Sequence, residues 1–215
     1  MNAWPTLSAP EITTARLRLR TAHDADIDGL IELQTDPRVR ANLGGARPRD
    51  AVVRYFAANG VSAIAGKAGT YVIADRESDA CVGTLVLDRR SADLPGHVTE
   101  EGGELELTYL LRRSGWGAGL AFEAATGLLR AAADELPEQP VLVVTQTANE
   151  RSRRLATRLG FQPVGTFEAH GAEQTLAVAG LHAFASCCDR EGSPGWWSGG
   201  RVGGDVRSDR WRCGG

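Results

Sequence analysis

The stretch from Glu104 to Glu135 holds the residues best suited to chemistry. Glu104-Leu105-Glu106-Leu107-Thr108-Tyr109-Leu110-Leu111 alternates polar with apolar and then becomes apolar, the pattern of a strand that leaves solvent for the middle of a sheet. Gly115, Gly117 and Gly119 follow in a turn. A helix is expected from Leu120 to about Glu135, with Ala121, Ala124, Leu128 and Ala131 on its inner face. A glycine-rich turn between a strand and a helix start is an anion site. Its N–H groups lack partners, the helix dipole adds positive potential, and glycine lets a ligand approach the backbone. Diphosphate binding follows from this physics; the identity of the diphosphate does not.

The commoner diphosphate motifs fail. A G-x-G-x-x-G reading from Gly115 meets Leu120 at its third glycine, and one from Gly117 meets Phe122. The nearest approach to a P-loop, Gly60 to Ala68, has one residue too many and Ala68 where a magnesium-binding hydroxyl belongs. Kinase signatures are missing.

A second candidate group opens the next helix. Asn149 is an N-cap residue for Glu150–Leu159, Ser152 lies in its first turn, and Gly160 stands where such helices end. Around these two groups, strands are expected at 17–20, 71–74, 82–87, 141–144, about 162–168 and about 174–179. One helix is expected from a Thr21–Asp24 capping box to about Gln34, and another opens at Pro48 with Val52, Tyr55 and Phe56 apolar. Strands flanking helices throughout make an α/β three-layer sandwich.

The chain has 215 residues, 42% of them hydrophobic, and a net charge of −3. That suits one domain with a real core and gives no global sign of nucleic-acid binding or an anionic membrane. No stretch is long and apolar enough to span a bilayer, and Met1–Pro5 does not resemble a secretory signal. Cys81, Cys187, Cys188 and Cys213 form neither a disulfide framework nor paired zinc spacing, so a reducing, cytoplasmic setting is expected. A metal site at His182, Cys187, Cys188 and Cys213 can be drawn, but no metal is expected. Residues 1–13 read as a leader and 14–185 as the domain. Residues 186–215 form a tail with eight glycines and Trp196, Trp197 and Trp211; it reads as flexible, or as an aromatic anchor for a partner or for the domain surface.

Three blocks, in order and on the expected elements, resemble the GNAT superfamily of N-acetyltransferases over about residues 14–181. They are Thr14-Ala15-Arg16-Leu17-Arg18-Leu19-Arg20 with Asp24; Glu106 to Arg112 followed by Trp116-Gly117-Ala118-Gly119-Leu120-Ala121 and Glu123-Ala124; and Asn149-Glu150-Arg151-Ser152 followed by Leu159-Gly160-Phe161. The chain looks most like the branch containing the ribosomal-protein N-terminal (Rim-type) acetyltransferases. The resemblance implies the acyl-CoA N-acyltransferase fold, with a mixed, mostly antiparallel sheet, a bulged or splayed central strand and flanking helices. It also implies acetyl-CoA as donor.

On this resemblance Gly117, Ala118, Gly119, Leu120 and Ala121 would hold the coenzyme A diphosphate. Leu110, Leu111 and Arg112 would lie along the pantetheine arm, a backbone N–H there meeting the developing oxyanion. Asn149 and Ser152 would lie near the thiol. Many family members place a tyrosine four residues before the terminal glycine to protonate the thiolate; here that residue is Ala156, and in the resembling branch Ser152 holds this role. Glu106 is the expected general base, with Glu104 its rival, and Arg112 and Arg113 are candidates to pair with phosphates. Each has a plainer reading: Glu106 as strand decoration, Ser152 as an ordinary helical residue, Tyr109 and Trp116 as packing aromatics. The loop acids Asp93, Glu100 and Glu101 could attract a cation or merely be solvated.

The resemblance implies that the acceptor is a primary amine, on a peptide N-terminus or a small molecule. An α-amine, with a pKa of about 7.7–8.0, costs roughly 3–4 kcal/mol less to deprotonate than a lysine at about 10.4. A detoxifying acetyltransferase and a non-catalytic acyl-CoA sensor are the alternatives. A monomer or homodimer is expected.

Overall fold

Leu17 and Leu19, Leu85 and Leu87, Leu105 and Leu107, and Val141 and Val143 recur at every second position of their strands, and all are buried. Such alternation gives each strand one apolar face, and stacking those faces side by side buries them together. The computed structural model, which describes residues 7–61 and 68–185, arranges eight strands in the order β1-β2-β3-β4-β5-β6-β8-β7. They are β1 (Glu11–Thr13), β2 (Leu17–Arg20), β3 (Thr70–Asp75), β4 (Cys81–Arg89), β5 (Leu105–Leu111), β6 (Pro140–Gln146), β7 (Gln162–Ala169) and β8 (Ala172–Gly180). Every neighbouring pair is antiparallel except β5 with β6.

The sheet is the middle of three layers. Helices α1 (Ile27–Thr35) and α2 (Arg49–Asn59) cover one face, packing Leu30, Leu33, Val52 and Phe56 on Val72 and Ala74. Helices α3 (Leu120–Glu135) and α4 (Glu150–Leu159) cover the other, where Ala124, Ala125, Leu128, Leu129 and Ala132 meet the alternating leucines. The α/β sandwich expected from the sequence is thus the fold, and the limits of α3 and α4 match those expected. The buried stripe of α3 sits beside the expected one, because Ala121 and Ala131 are only partly buried while Ala125 and Ala132 are fully so. No helix among the described residues is long and apolar enough to cross a membrane.

Three expectations need correction. Residues 7–13 are not a leader: Leu7 is buried, β1 pairs with β2, and the Tyr71 hydroxyl donates to the Ala9 carbonyl at 2.6 Å. Tyr55 does not join the apolar side of α2 but is 51% exposed. The first helix does not start from Thr21. A 3-10 turn, Asp24–Asp26, precedes α1, and the His23 N–H donates to the Asp26 carboxylate at 2.7 Å. Asp26 also binds buried Arg20 through both guanidinium arms, at 2.7 and 3.1 Å. The expected tail, 186–215, lies outside the described residues, as do Cys187, Cys188 and Cys213; the His182 ring bonds the Leu136 carbonyl at 3.0 Å.

A buried ion pair that loses one partner leaves an uncompensated charge, which costs about 3–5 kcal/mol. Arg20 keeps half-exposed Asp79 as a second partner at 2.9 Å, so Asp26→Ala is expected to lose about 2–3 kcal/mol in denaturant unfolding. Asp50→Ala, which removes the exposed partner of Arg54, is expected to stay within about 1 kcal/mol of wild type. Equal losses would contradict the assignment of Arg20–Asp26 as the structural pair.

Candidate active site

The site begins where β5 and β6 part. Parallel pairing joins Leu105 to Val141 and Glu106 to Leu142, and then stops. On its other edge β5 stays in register with β4 from Leu105–Arg89 to Leu111–Gly83. The opening is therefore entirely on the β6 side, and the register irregularities lie elsewhere, in β3 and β7. Arg90 N–H donates to Glu104 and Arg112 N–H to Val82, both at 2.9 Å. Antiparallel strands alternate the direction of their backbone groups, so Glu106, Thr108 and Leu110 bond to β4. On the side away from β4, the Leu107 N–H meets β6 at the last paired residues, and the N–H groups of Tyr109 and Leu111 beyond it face the gap. Of the three residues expected along the pantetheine arm, Leu111 offers its amide to the gap, whereas Leu110 and Arg112 direct theirs to β4.

The turn after β5 bends away from the gap and into α3. Gly117 and Gly119 have φ of +79° and +77°, in the left-handed region that side chains resist. A Cβ at Gly117 would meet nothing within 4 Å, and one at Gly119 only an Arg16 guanidinium nitrogen at 3.8 Å. The positions are open toward solvent as well as strained for other residues. Among the described residues, the N–H groups from Gly117 through Phe122 donate to no protein acceptor. That run of amides at the start of a 16-residue helix is a ready anion cradle.

Long-range contacts fix this cradle. Arg16 reaches from the loop before β2, donating to the Ala118 carbonyl at 3.0 Å and to Glu123 at 2.7 Å; the Thr14 hydroxyl donates to Glu123 at 2.6 Å. The Trp116 indole donates to the Leu111 carbonyl at 3.0 Å, and Arg151 stacks over its ring at 4.7 Å. Arg158 stacks over Phe122 at 4.0 Å. Trp116 is therefore a strut between the turn and α4, with arginine charge held beside the free amides. Arg16, Arg151 and Arg158 carried no local signal, since their partners are distant in sequence or on another helix. Arg112 points elsewhere: its guanidinium binds Glu32 at 2.5 and 2.9 Å and the Cys81 carbonyl. Arg113 lies toward Asp36, at 4.0 Å. Neither is aimed at the cradle.

Asn149 caps α4, its side chain accepting the Ser152 N–H at 3.2 Å. The Ser152 hydroxyl meets the phenol of Tyr109 at 2.7 Å. Tyr109 is therefore more than core packing: it ties β5 to α4 on the α3/α4 face. Burial pushes its phenol above the ordinary value, a rise the bond to Ser152 partly offsets.

Glu106 points to the opposite face, where Arg90 Nη1 donates to its Oε2 at 2.7 Å. Among the described residues its other oxygen takes no hydrogen bond. Arg90 is held in turn by the Pro95 carbonyl and by the ring of Phe167, 5.9 Å from its centroid. Glu104, the rival base, is fully committed. It accepts from the Val98 and Thr99 amides, the Thr99 hydroxyl and the His97 ring at 2.6–3.0 Å. Burial would raise its pKa, but the His97 ring and the backbone amides outweigh it and hold the carboxyl at about 2. Such a group is a staple for the loop after β4, not a proton acceptor near neutrality.

Comparisons with known proteins establish the family. The model of the acetyltransferase (GNAT) domain matches residues 16–162, and the chain belongs to that family. It is 27% identical over 158 residues to an uncharacterized N-acetyltransferase, p20, of Bacillus licheniformis, covering 71% of this chain and 82% of that protein. The GNAT-family acetyltransferase of Bacillus anthracis shares the fold with a TM-score of 0.64 and 18% identity over 80% of this chain and 98% of its own. RimL, a ribosomal L7/L12 α-N-protein acetyltransferase solved with coenzyme A, does so with a TM-score of 0.58 and 16% identity over 80% and 99%. Rim-type enzymes are thus among the structural relatives, and the coarser family is what the matches establish.

A carboxyl with a depressed folded pKa stabilises the fold above its unfolded pKa, and that stability is lost as pH falls toward the folded value. For Glu104 the window runs from the ordinary 4.5 down to about 2. The stability gap between wild type and Glu104→Gln is expected to be full above pH 4.5 and to shrink steadily below it, read by thermal unfolding across that range. A gap independent of pH would refute the staple.

Proposed function

We propose that the chain is an N-acetyltransferase that takes acetyl from acetyl-CoA and passes it to an amine by direct attack within a ternary complex. The observation that carries this reading is the parting of β5 and β6 beside the free amides of Gly117–Phe122. The cradle suits a diphosphate, and the gap beside it offers unpaired strand amides. Gly117, Ala118, Gly119, Leu120 and Ala121 hold the diphosphate, with Arg16, Arg151 and Arg158 supplying charge. Leu110 and Leu111 line the arm, and the Leu111 or Tyr109 amide stabilises negative charge on the acyl oxygen. Bound acetyl-CoA supplies an acetyl group activated as a thioester.

The two catalytic candidates lie on opposite faces of the sheet, to either side of β5. Glu106 stands on the α1/α2 side, where an amine could approach, and accepts the proton the amine sheds, directly or through water. A carboxylate is a weak base, so an acceptor that is readily deprotonated suits the site best. That favours α-amines of peptides, or small amines of low pKa, over unperturbed lysine side chains. Ser152, beside Asn149 on the α3/α4 side, meets the leaving sulfur. The expected cytoplasmic location fits this donor.

Acetyl-CoA at 100 times its dissociation constant is expected to stabilise the protein by about 2.7 kcal/mol, with ATP and NAD giving no shift. Gly119→Val, which places a branched side chain at positive φ in the cradle, is expected to fold but to lose that response. A response to ATP or NAD equal to that of acetyl-CoA would overturn the assignment. In a screen of peptide N-termini and small amines with thiol detection, Ser152→Ala and Glu106→Gln are each expected to slow transfer by ~10²-fold or more. If neither variant is slowed, both roles are wrong.

A further inference from the structure

From the contact between β5 and α4, we infer that Tyr109 acts through Ser152 as the source of the proton delivered to the departing thiolate. The inference rests on the acetyl-transfer reading and assigns the work of the helix tyrosine that Ala156 replaces to a residue on the central strand.

The argument starts from acidity. A thiol has a pKa of about 8.5 and a phenol about 10, whereas a serine hydroxyl is a far weaker acid than either. Ser152 alone is a poor proton donor, because giving up its proton leaves an alkoxide. It becomes a competent one if a stronger acid replaces that proton in the same step. The phenol of Tyr109 stands 2.7 Å from the Ser152 oxygen, at ordinary O–H···O distance. Ser152 itself is held by the Asn149 cap on its backbone, and Tyr109 by burial against the α3-side core. Both partners sit on rigid elements, so the pair is preorganised.

Charged side chains near this pair belong to other contacts. Glu150, Arg151 and Arg153 on α4 are exposed; Glu150 pairs with Arg154, Arg151 stacks on Trp116, and Arg153 donates to the Thr147 carbonyl. Glu106 and Arg90 face the opposite side of the sheet. Burial and the Ser152 bond govern the phenol, which leaves it protonated at neutral pH.

The step balances. The amine lone pair forms the new C–N bond. The C–S bond breaks and sulfur keeps its electron pair. Sulfur then takes the Ser152 hydroxyl proton as Tyr109 passes its own to the Ser152 oxygen. The phenolate regains a proton from solvent, and the proton shed by nitrogen goes to Glu106 or water. Nothing is oxidised or reduced.

The test needs only coenzyme A, the product, and no acceptor. Bound to wild type, its thiolate is expected to accept the Ser152 hydrogen bond, so the bound thiol should titrate below the free thiol by about one pH unit, followed by thiolate ultraviolet absorbance. Ser152→Ala and Tyr109→Phe are each expected to move the titration back toward free coenzyme A. The double variant should move it no further than Ser152→Ala alone, as for residues acting as one unit. Tyr109→Phe keeps the ring and its packing, so thermal unfolding with and without coenzyme A checks that fold and binding survive. If Tyr109→Phe binds coenzyme A and leaves the titration where wild type has it, the inference is overturned while the acetyl-transfer reading stands. If wild type shows no thermal response to coenzyme A, the reading beneath it falls as well.

Discussion

β5 keeps its full antiparallel pairing with β4 but shares only two residues of parallel pairing with β6. Backbone N–H groups inside a protein must find partners, and beyond Leu107 the amides of Tyr109 and Leu111 have no strand partner across the gap. A sheet that opened this way at random would be destabilised. Here the opening is braced on every side: α3 and α4 bury the leucine face, α1 and α2 bury the other, and the Tyr109–Ser152 bond spans the gap from β5 to α4. The edge of β5 is thereby kept open beyond its last pairing with β6, and these contacts hold it so.

The cradle depends on the same bracing. Its free amides are a consequence of positive φ at Gly117 and Gly119 and of the start of α3. Their aim is set by Arg16 on Ala118 and Glu123, and by Trp116 clamped between the Leu111 carbonyl and Arg151. The opening block Thr14–Arg20 thus contributes a strand, an arm to the cradle through Arg16, and the buried Arg20–Asp26 pair that fixes where α1 begins. The two acidic candidates of β5 diverge for an equally local reason. Glu104, just before the strand, is surrounded by loop amides that fix its charge, whereas Glu106, two residues on and also facing α1 and α2, has one oxygen unbonded among the described residues.

Much of this was legible in the sequence. Alternating leucines marked the strands, Asn149 and Gly160 bracketed α4, and the spacing of Gly117 and Gly119 before an amphipathic helix marked the turn that opens α3. Those features are local: they depend on residues within a turn or two of one another, where periodicity and backbone preference act directly. Other features were misread for want of long-range partners. Leu7 looked like part of a leader because its burial depends on β1 meeting β2. Arg112 looked available for phosphate because Glu32 is eighty residues away in sequence.

The sequence by itself determined the layers, the order of the main elements and the glycine turn that opens α3, because these follow from hydrophobic period, capping and glycine stereochemistry. Only the tertiary structure decided which carboxylate is spent as a staple, which amides face the gap, and that a strand tyrosine meets a helix serine. Each of those depends on groups far apart in the chain arriving within a hydrogen bond of one another, and no local pattern encodes that meeting.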